Sequence, residues 1–160
     1  MILETLSLHW PDEAACAATA ARLARHPGLR RACIELHGPL GAGKTTLVRH
    51  LLRALGVSGR IKSPSYAIVE PYELPAGESG EAGAAWHFDF YRFGDPLEWE
   101  DAGLRDLFAS PGLKLVEWPE RVAGLLPAAD LRIIIEPQLD AGRQVQLQPG
   151  TALGRELISD

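Results

Sequence analysis

Apolar and polar positions change period several times along this chain, and each change marks an element. Ile2 to Leu8 alternates, the pattern of a half-buried strand. Pro11-Asp12-Glu13 opens an alanine-rich stretch to about Arg25, which reads as a helix with acidic residues in its first turn. His26-Pro27-Gly28 stops it. Ala32 to His37 (ACIELH) reads as a buried strand, and Thr46 to Leu55 as an amphipathic helix closed by Gly56 as C-cap. Val57 to Pro71 is polar and hydroxyl-rich, a loop leading into a strand from Ala67 to Glu70. Pro75 to Ala84 (PAGESGEAGA) is small, acidic and turn-rich, the composition of a mobile hairpin tip.

The second half continues the alternation. Ala85 to Tyr91 is an apolar strand carrying Asp89 near its end. Pro96 begins a helix running to Phe108, with Leu97, Gly103–Leu104 and Leu107–Phe108 as its buried stripe. Leu113 to Glu117 (LKLVE) is a short buried strand, followed by Trp118-Pro119-Glu120 and a short helix. Leu131 to Glu136 and Arg143 to Gln148 read as two antiparallel strands joined at Asp140-Ala141-Gly142, the second with one solvated face. The tail, 150–160, is weakly specified. Neither a repeat nor a linker interrupts the pattern, so residues 1–160 form a single domain. Strands alternating with helices predict an α/β sandwich with a mostly parallel central sheet and antiparallel C-terminal strands, its ligand at the carboxyl ends of the strands.

Composition narrows this picture. The 160 residues, 46% hydrophobic, suffice for one domain with a core. No apolar run reaches the roughly 20 residues that span a bilayer, and MILETLSLHW lacks a basic-then-apolar secretion signal, so a cytoplasmic protein with no membrane partner is expected. Cys16 and Cys33 form no C-x-x-C pair and read as reduced thiols. A net charge of −5 argues against a protein that grips nucleic acid alone. The chain contains no asparagine, so the N-K-x-D guanine-recognition motif is absent and ATP is favoured over GTP. The five histidines show no metal-ligand spacing with carboxylates or thiols.

The chemistry concentrates between strand and helix at GPLGAGKT. Gly38, Gly43, Lys44 and Thr45 fit G-x-x-x-x-G-K-[S/T], the phosphate-binding loop, in its required strand–loop–helix context. Gly38, Gly41 and Gly43 let backbone N–H groups approach phosphate oxygens, with Ala42 and Thr46 in the same cradle. Lys44 can reach the β- and γ-phosphates, and the Thr45 hydroxyl can hold Mg²⁺. Hydrolysis also needs an acidic residue at a neighbouring strand end. Asp89 and Glu117 both answer, and spacing does not divide metal ligation from water activation between them. Lys62-Ser63-Pro64-Ser65-Tyr66 stands where such enzymes carry a γ-phosphate switch.

These residues resemble a family. The loop from Gly38 to Thr46, Lys62 to Tyr66, Val69-Glu70-Pro71-Tyr72, His87-Phe88-Asp89-Phe90-Tyr91-Arg92 and Glu117-Trp118-Pro119-Glu120 have the order and spacing of the TsaE (YjeE) family over about residues 3 to 145. That family is the small ATPase of bacterial tRNA threonylcarbamoyladenosine biosynthesis. The resemblance implies a P-loop NTPase fold and an ATPase that is feeble alone. It implies docking onto the threonylcarbamoyl-transferase subunit (TsaD-like) and its dimerisation partner (TsaB-like), with hydrolysis resetting that complex and tRNA reached only through it. It assigns Mg²⁺ to Thr45 and Glu117, a further catalytic or switch role to Asp89, and nucleotide contacts to Glu13 and Arg143. Ser65 stands where Thr is more usual and Phe90 where Leu is common.

Two rival readings use the same residues. A nucleotide-gated binding module would bind ATP to order the Ser63–Tyr66 switch without needing turnover. A P-loop small-molecule kinase would need a basic lid, and the Pro75–Ala84 tip contains no Lys or Arg.

Overall fold

Seven strands pair into a single sheet whose centre is built where the sequence is most continuously apolar. The computed structural model describes residues 4–64, 68–77, 83–101 and 103–159. Ile2 and Leu3 of the first predicted strand, Ser65 to Ala67 of the predicted switch and strand, and 78–82 of the hairpin tip lie outside the described residues. In chain order the elements are β1 (Leu6–Trp10), α1 (Glu13–Ala24), a 3-10 turn at Pro27–Arg31, β2 (Cys33–His37), α2 (Lys44–Ala54), β3 (Val69–Leu74), β4 (Gly83–Asp89), α3 (Pro96–Asp101), α4 (Leu104–Ala109), β5 (Leu113–Glu117), a 3-10 turn at Pro119–Val122, β6 (Leu131–Pro137), β7 (Arg143–Pro149) and α5 (Ala152–Leu157).

The strand order is β1-β7-β6-β2-β5-β4-β3. The four central strands β6, β2, β5 and β4 run parallel. Antiparallel pairing closes both edges, with β7 on β6, β1 on β7 and β3 on β4. The result is the expected α/β sandwich, a mixed seven-stranded sheet with flanking helices, consistent with a P-loop NTPase-like fold. The parallel strands all end at one edge, the edge from which the glycine-rich loop leaves β2.

Helices α1 and α2 cover one face. Leu47, Val48, Leu51 and Leu52 of α2 are fully buried in one core with Ile34, Leu36, Leu115 and Ile133, each such side chain contributing about 1.5–3 kcal/mol relative to exposure. The predicted C-cap of α2 is present: the Gly56 N–H donates to the Arg53 carbonyl and the Val57 N–H to the Leu52 carbonyl, closing the last turn. On the other face an aromatic core forms under α3 and α4, with Phe88 and Phe108 stacked at 4.3 Å and Trp99 and Phe108 at 5.7 Å.

Three local expectations change. The strand expected to end at Glu70 continues through Pro71 to Leu74. This is an edge strand, where a residue without an N–H leaves no ladder bond unmade. The single helix expected from Pro96 is two, because Gly103 adopts φ +65°, a left-handed conformation that cannot continue an α-helix. With that break Leu97 is 63% exposed, and Trp99 rather than Leu97 enters the core. The weakly patterned tail carries α5. Thr151 caps it by accepting from the Gly154 N–H and donates its own hydroxyl to Asp130 Oδ1 at 2.8 Å. Asp130 Oδ2 in turn accepts the Cys33 N–H at 2.8 Å, so one carboxylate joins the starts of β2 and β6 to the tail.

Gly154 lies so close to β6 that an added Cβ would stand 1.6 Å from the Asp130 carbonyl oxygen. Gly154→Ala is therefore expected to undock α5 and destabilise the protein by about 2 kcal/mol or more. A urea titration would read this as a lower midpoint at nearly unchanged slope; an unchanged midpoint would show the tail to be dispensable.

Candidate active site

Parallel register places the two candidate carboxylates side by side. Asp89 of β4 is the register partner of Glu117 of β5, and Leu36 of β2 is the partner of Glu117 on its other side. The glycine-rich loop starts one residue past β2, and α2 begins at Lys44. Gly38 is obligatory at the turn: an added Cβ would sit 2.5 Å from the Ile135 carbonyl oxygen. At the other end of the loop Gly43 caps α2 at φ +111°, a conformation that L side chains rarely adopt.

Thr45 is bound to Glu117. Its Oγ1 donates to the carboxylate and lies 3.1 Å from Oε1 and 3.0 Å from Oε2. The Ser63 hydroxyl donates to the same Thr45 oxygen at 3.2 Å, tying the described part of the predicted switch to the loop. On the far side of Glu117, His87 Nε2 lies 2.5 Å from Oε2. Lys44 is buried, its Nζ donating to the Gly38 carbonyl at 2.6 Å and lying 3.5 Å from the centroid of the Trp118 ring. Burial pushes the Lys44 ammonium below its ordinary value, while the charges of Glu117, Glu120 and Asp89 pull it back up. The face of an indole stabilises a desolvated cation by about 2 kcal/mol or more. Trp118 reaches that position from a left-handed backbone at φ 57°, which for a non-glycine residue costs on the order of 1–2 kcal/mol.

These residues line one cleft of about 320 Å³, formed by Leu40 to Thr46, Ser63, Asp89, Tyr91, Glu117 and Trp118. Asp89 opens into it without joining the Thr45–Glu117 pair. Its Oδ1 accepts the Tyr91 N–H at 3.0 Å, and burial raises its carboxyl above the ordinary value, reinforced by the charge of Glu117. Glu13 and Arg143 lie apart from this group, in a neighbouring cleft of about 170 Å³ with Trp10, Asp12, Cys16, Ala42, Gly43, Thr46 and Ala141. Ala42, Gly43 and Thr46 form the wall shared by the two clefts. Arg143 pins the loop: Nε donates to the Ala42 carbonyl at 2.8 Å, and Nη1 to the Ala141 and Gly142 carbonyls.

The donor set suits a hard divalent cation. A hydroxyl and a carboxylate offer only oxygen, and among the described residues no group of three or more His, Cys, Asp or Glu forms a complete cage. Two protein oxygens completed by phosphate and water are what Mg²⁺ accepts.

Sequence reading missed His87, Trp10 and the contact of Trp118 with Lys44. His87 had a readable signal, since two positions before Asp89 on a strand it shares the face of that residue. Trp118 had none, because nothing in the residues around it marks a left-handed backbone at a tryptophan. Cys16, on the wall of the second cleft, is pushed by burial and by Glu13 from 9.0 up to about 12; Cys33 is pushed to about 12 by burial and by Glu35 and Asp130. At pH 8 the native thiolate fraction is then on the order of 10⁻⁴. Ellman's reagent should accordingly find no rapidly reacting thiol in the native protein and both in denaturant. Because the unfolded thiols ionise near 9.0 while the folded ones hold their protons, stability should fall as pH rises through that value. Prompt labelling of either cysteine under native conditions would contradict the burial.

Comparison with known proteins adds the relatives. The family model TsaE, "Threonylcarbamoyl adenosine biosynthesis protein TsaE", matches residues 10–145. The chain is 44% identical over 126 residues to the "tRNA threonylcarbamoyladenosine biosynthesis protein TsaE" of Haemophilus influenzae, covering 79% of this chain and 75% of the relative. It is 35% identical over 124 residues to the protein of the same name from Bacillus subtilis, covering 76% and 70%. Among solved structures, Bacillus subtilis YdiB superposes with a TM-score of 0.77 at 24% identity, over 98% of this chain and 93% of that one, and so shares the fold.

Proposed function

The chain belongs to the TsaE family of threonylcarbamoyl adenosine biosynthesis proteins, and from that premise we propose that it is the ATP-binding and ATP-hydrolysing subunit of the tRNA threonylcarbamoyladenosine system. The observation that carries the proposal is the Thr45–Glu117 pair, which stands beside Lys44 at the amino end of α2. A phosphate-binding loop alone holds nucleotide; a carboxylate on the loop's hydroxyl equips it for chemistry.

In this reading phosphate oxygens sit against the backbone N–H groups of 41–46 and the positive end of the α2 dipole. Lys44 exchanges its Gly38 carbonyl for phosphate oxygens, a better partner for a buried ammonium. Thr45 and Glu117 hold Mg²⁺, which when bound neutralises charge developing on the transferred phosphoryl group. Asp89, at the adjacent strand end, faces the attacking water. Glu13 and Arg143 take the nucleoside end in the second cleft. Among the described residues no helix is long and apolar enough to cross a membrane. Its partners are the threonylcarbamoyl-transferase subunit and that subunit's dimerisation partner, with tRNA reached through them.

The Ser63–Thr45 hydrogen bond favours one rival, the nucleotide-gated module, since it couples the switch to the loop whether or not ATP is split. Phosphate release from Mg-ATP separates the two. Wild type should be slow alone and faster with both partner proteins. Glu117→Ala should still bind ATP yet lose at least about 100-fold in hydrolysis. Wild type that releases no phosphate in either setting, but binds its partners only with ATP, would be a nucleotide-gated adaptor instead.

A further inference from the structure

Glu117 is the most constrained carboxylate at the site, and one of the groups constraining it has no part in the reading above. Its side chain is 4% exposed, and that of His87 is fully buried. The two residues lie on adjacent parallel strands and point to the same face, His87 standing two positions before the register partner of Glu117. Polar oxygens this buried need hydrogen-bond partners. Among the described residues the Glu117 carboxylate has two partners: the Thr45 hydroxyl, within reach of both oxygens, and His87 Nε2 at 2.5 Å from Oε2. They are not equivalent. Thr45 stands in the cleft, receives the Ser63 hydroxyl and would turn its oxygen toward a cation. His87 lies behind Glu117, outside the cleft lining.

The other ring nitrogen sets the direction of the bond. His87 Nδ1 is buried with no hydrogen-bond partner among the described residues. A proton there would be a buried donor without an acceptor, which costs more than a bare lone pair. The ring therefore carries its proton on Nε2 and donates it to Oε2. That leaves Oε1, bonded among the described residues to Thr45 alone, as the less committed oxygen.

We propose that His87 is a positioning residue for Glu117: by donating from Nε2 to Oε2 it holds the carboxylate so that Oε1 faces the Thr45 hydroxyl as the protein's acidic ligand for the divalent cation. The inference rests on the Mg²⁺-nucleotide reading and adds the group behind the ligand. Orienting hydrogen bonds of this kind typically change metal affinity 10–100-fold.

Calorimetric binding of ADP to wild type, His87→Leu and His87→Gln, in EDTA and across a Mg²⁺ titration, tests it. In EDTA the three proteins should agree within about twofold. The Mg²⁺ concentration that half-saturates the gain in ADP affinity should rise about tenfold or more in His87→Leu. His87→Gln, whose amide nitrogen reaches the place of Nε2, should return most of the loss. Equal weakening of ADP binding with and without Mg²⁺ would mark His87 as mere core filling and overturn the proposal, as would an unaltered Mg²⁺ requirement. If His87→Leu does not fold, ¹⁵N-histidine spectra of the nucleotide-free wild type decide: an Nε2–H tautomer is expected, and an Nδ1–H tautomer overturns it. ADP binding by wild type that ignores Mg²⁺ also overturns it. Intact Mg²⁺-dependent binding without phosphate release would remove the hydrolysis reading and leave this inference standing.

Discussion

A carboxylate cannot be buried at the end of a strand unless something meets it there, and in this protein what meets it is the first turn of a helix. The hydrogen bond from Thr45 to Glu117 joins α2 to β5 across 72 positions of sequence. Its geometry requires that β2 and β5 be adjacent and in register, that the glycine-rich loop turn tightly enough to bring α2 back over the sheet, and that the Leu47–Leu52 face of α2 be seated in the core. The apolar packing supplies most of the free energy, since such contacts number in the tens while this is one polar bond. The polar bond supplies the alignment.

The same economy appears in Lys44. Buried, and among the described residues without a counter-ion in hydrogen-bond contact, it rests on a backbone carbonyl of its own loop and on the face of Trp118. Both partners are weaker than a phosphate oxygen, so the loop holds its lysine in place while leaving it an incentive to change partners. The strained backbone of Trp118 belongs to this arrangement, because a residue in an ordinary conformation after β5 would not carry its ring over the ammonium.

Much of this was legible in the sequence, for identifiable reasons. The glycine-rich loop, its strand and its helix announce themselves because the glycines, the lysine and the threonine of the motif stand at fixed offsets. Glu117 and Asp89 were visible as charged ends of apolar strands, and the Arg143 position through the family's pattern. What stayed hidden depends on which strands become neighbours. The bond between His87 and Glu117 exists only because β4 lies beside β5, and the tail helix is specified by a close approach to Asp130 rather than by a stripe of its own. The break at Gly103 could have been weighed, but a glycine in an otherwise helical pattern is ambiguous until the backbone is seen.

Arg143 carries a consequence for how the molecule comes into being. The loop that starts at Gly38 is clasped by a guanidinium more than a hundred positions later, and Gly38 itself lies against the backbone of β6. Among the described residues the first strand, β1, finds its only ladder on β7. A chain emerging from the ribosome thus presents its glycine-rich loop early but cannot clasp it until β6 and β7, with Arg143, have also been made. With so many of its pairings non-local, the fold belongs to the slower-forming kind, and the loop takes its final shape only once β6 and β7 are in place rather than when it first emerges.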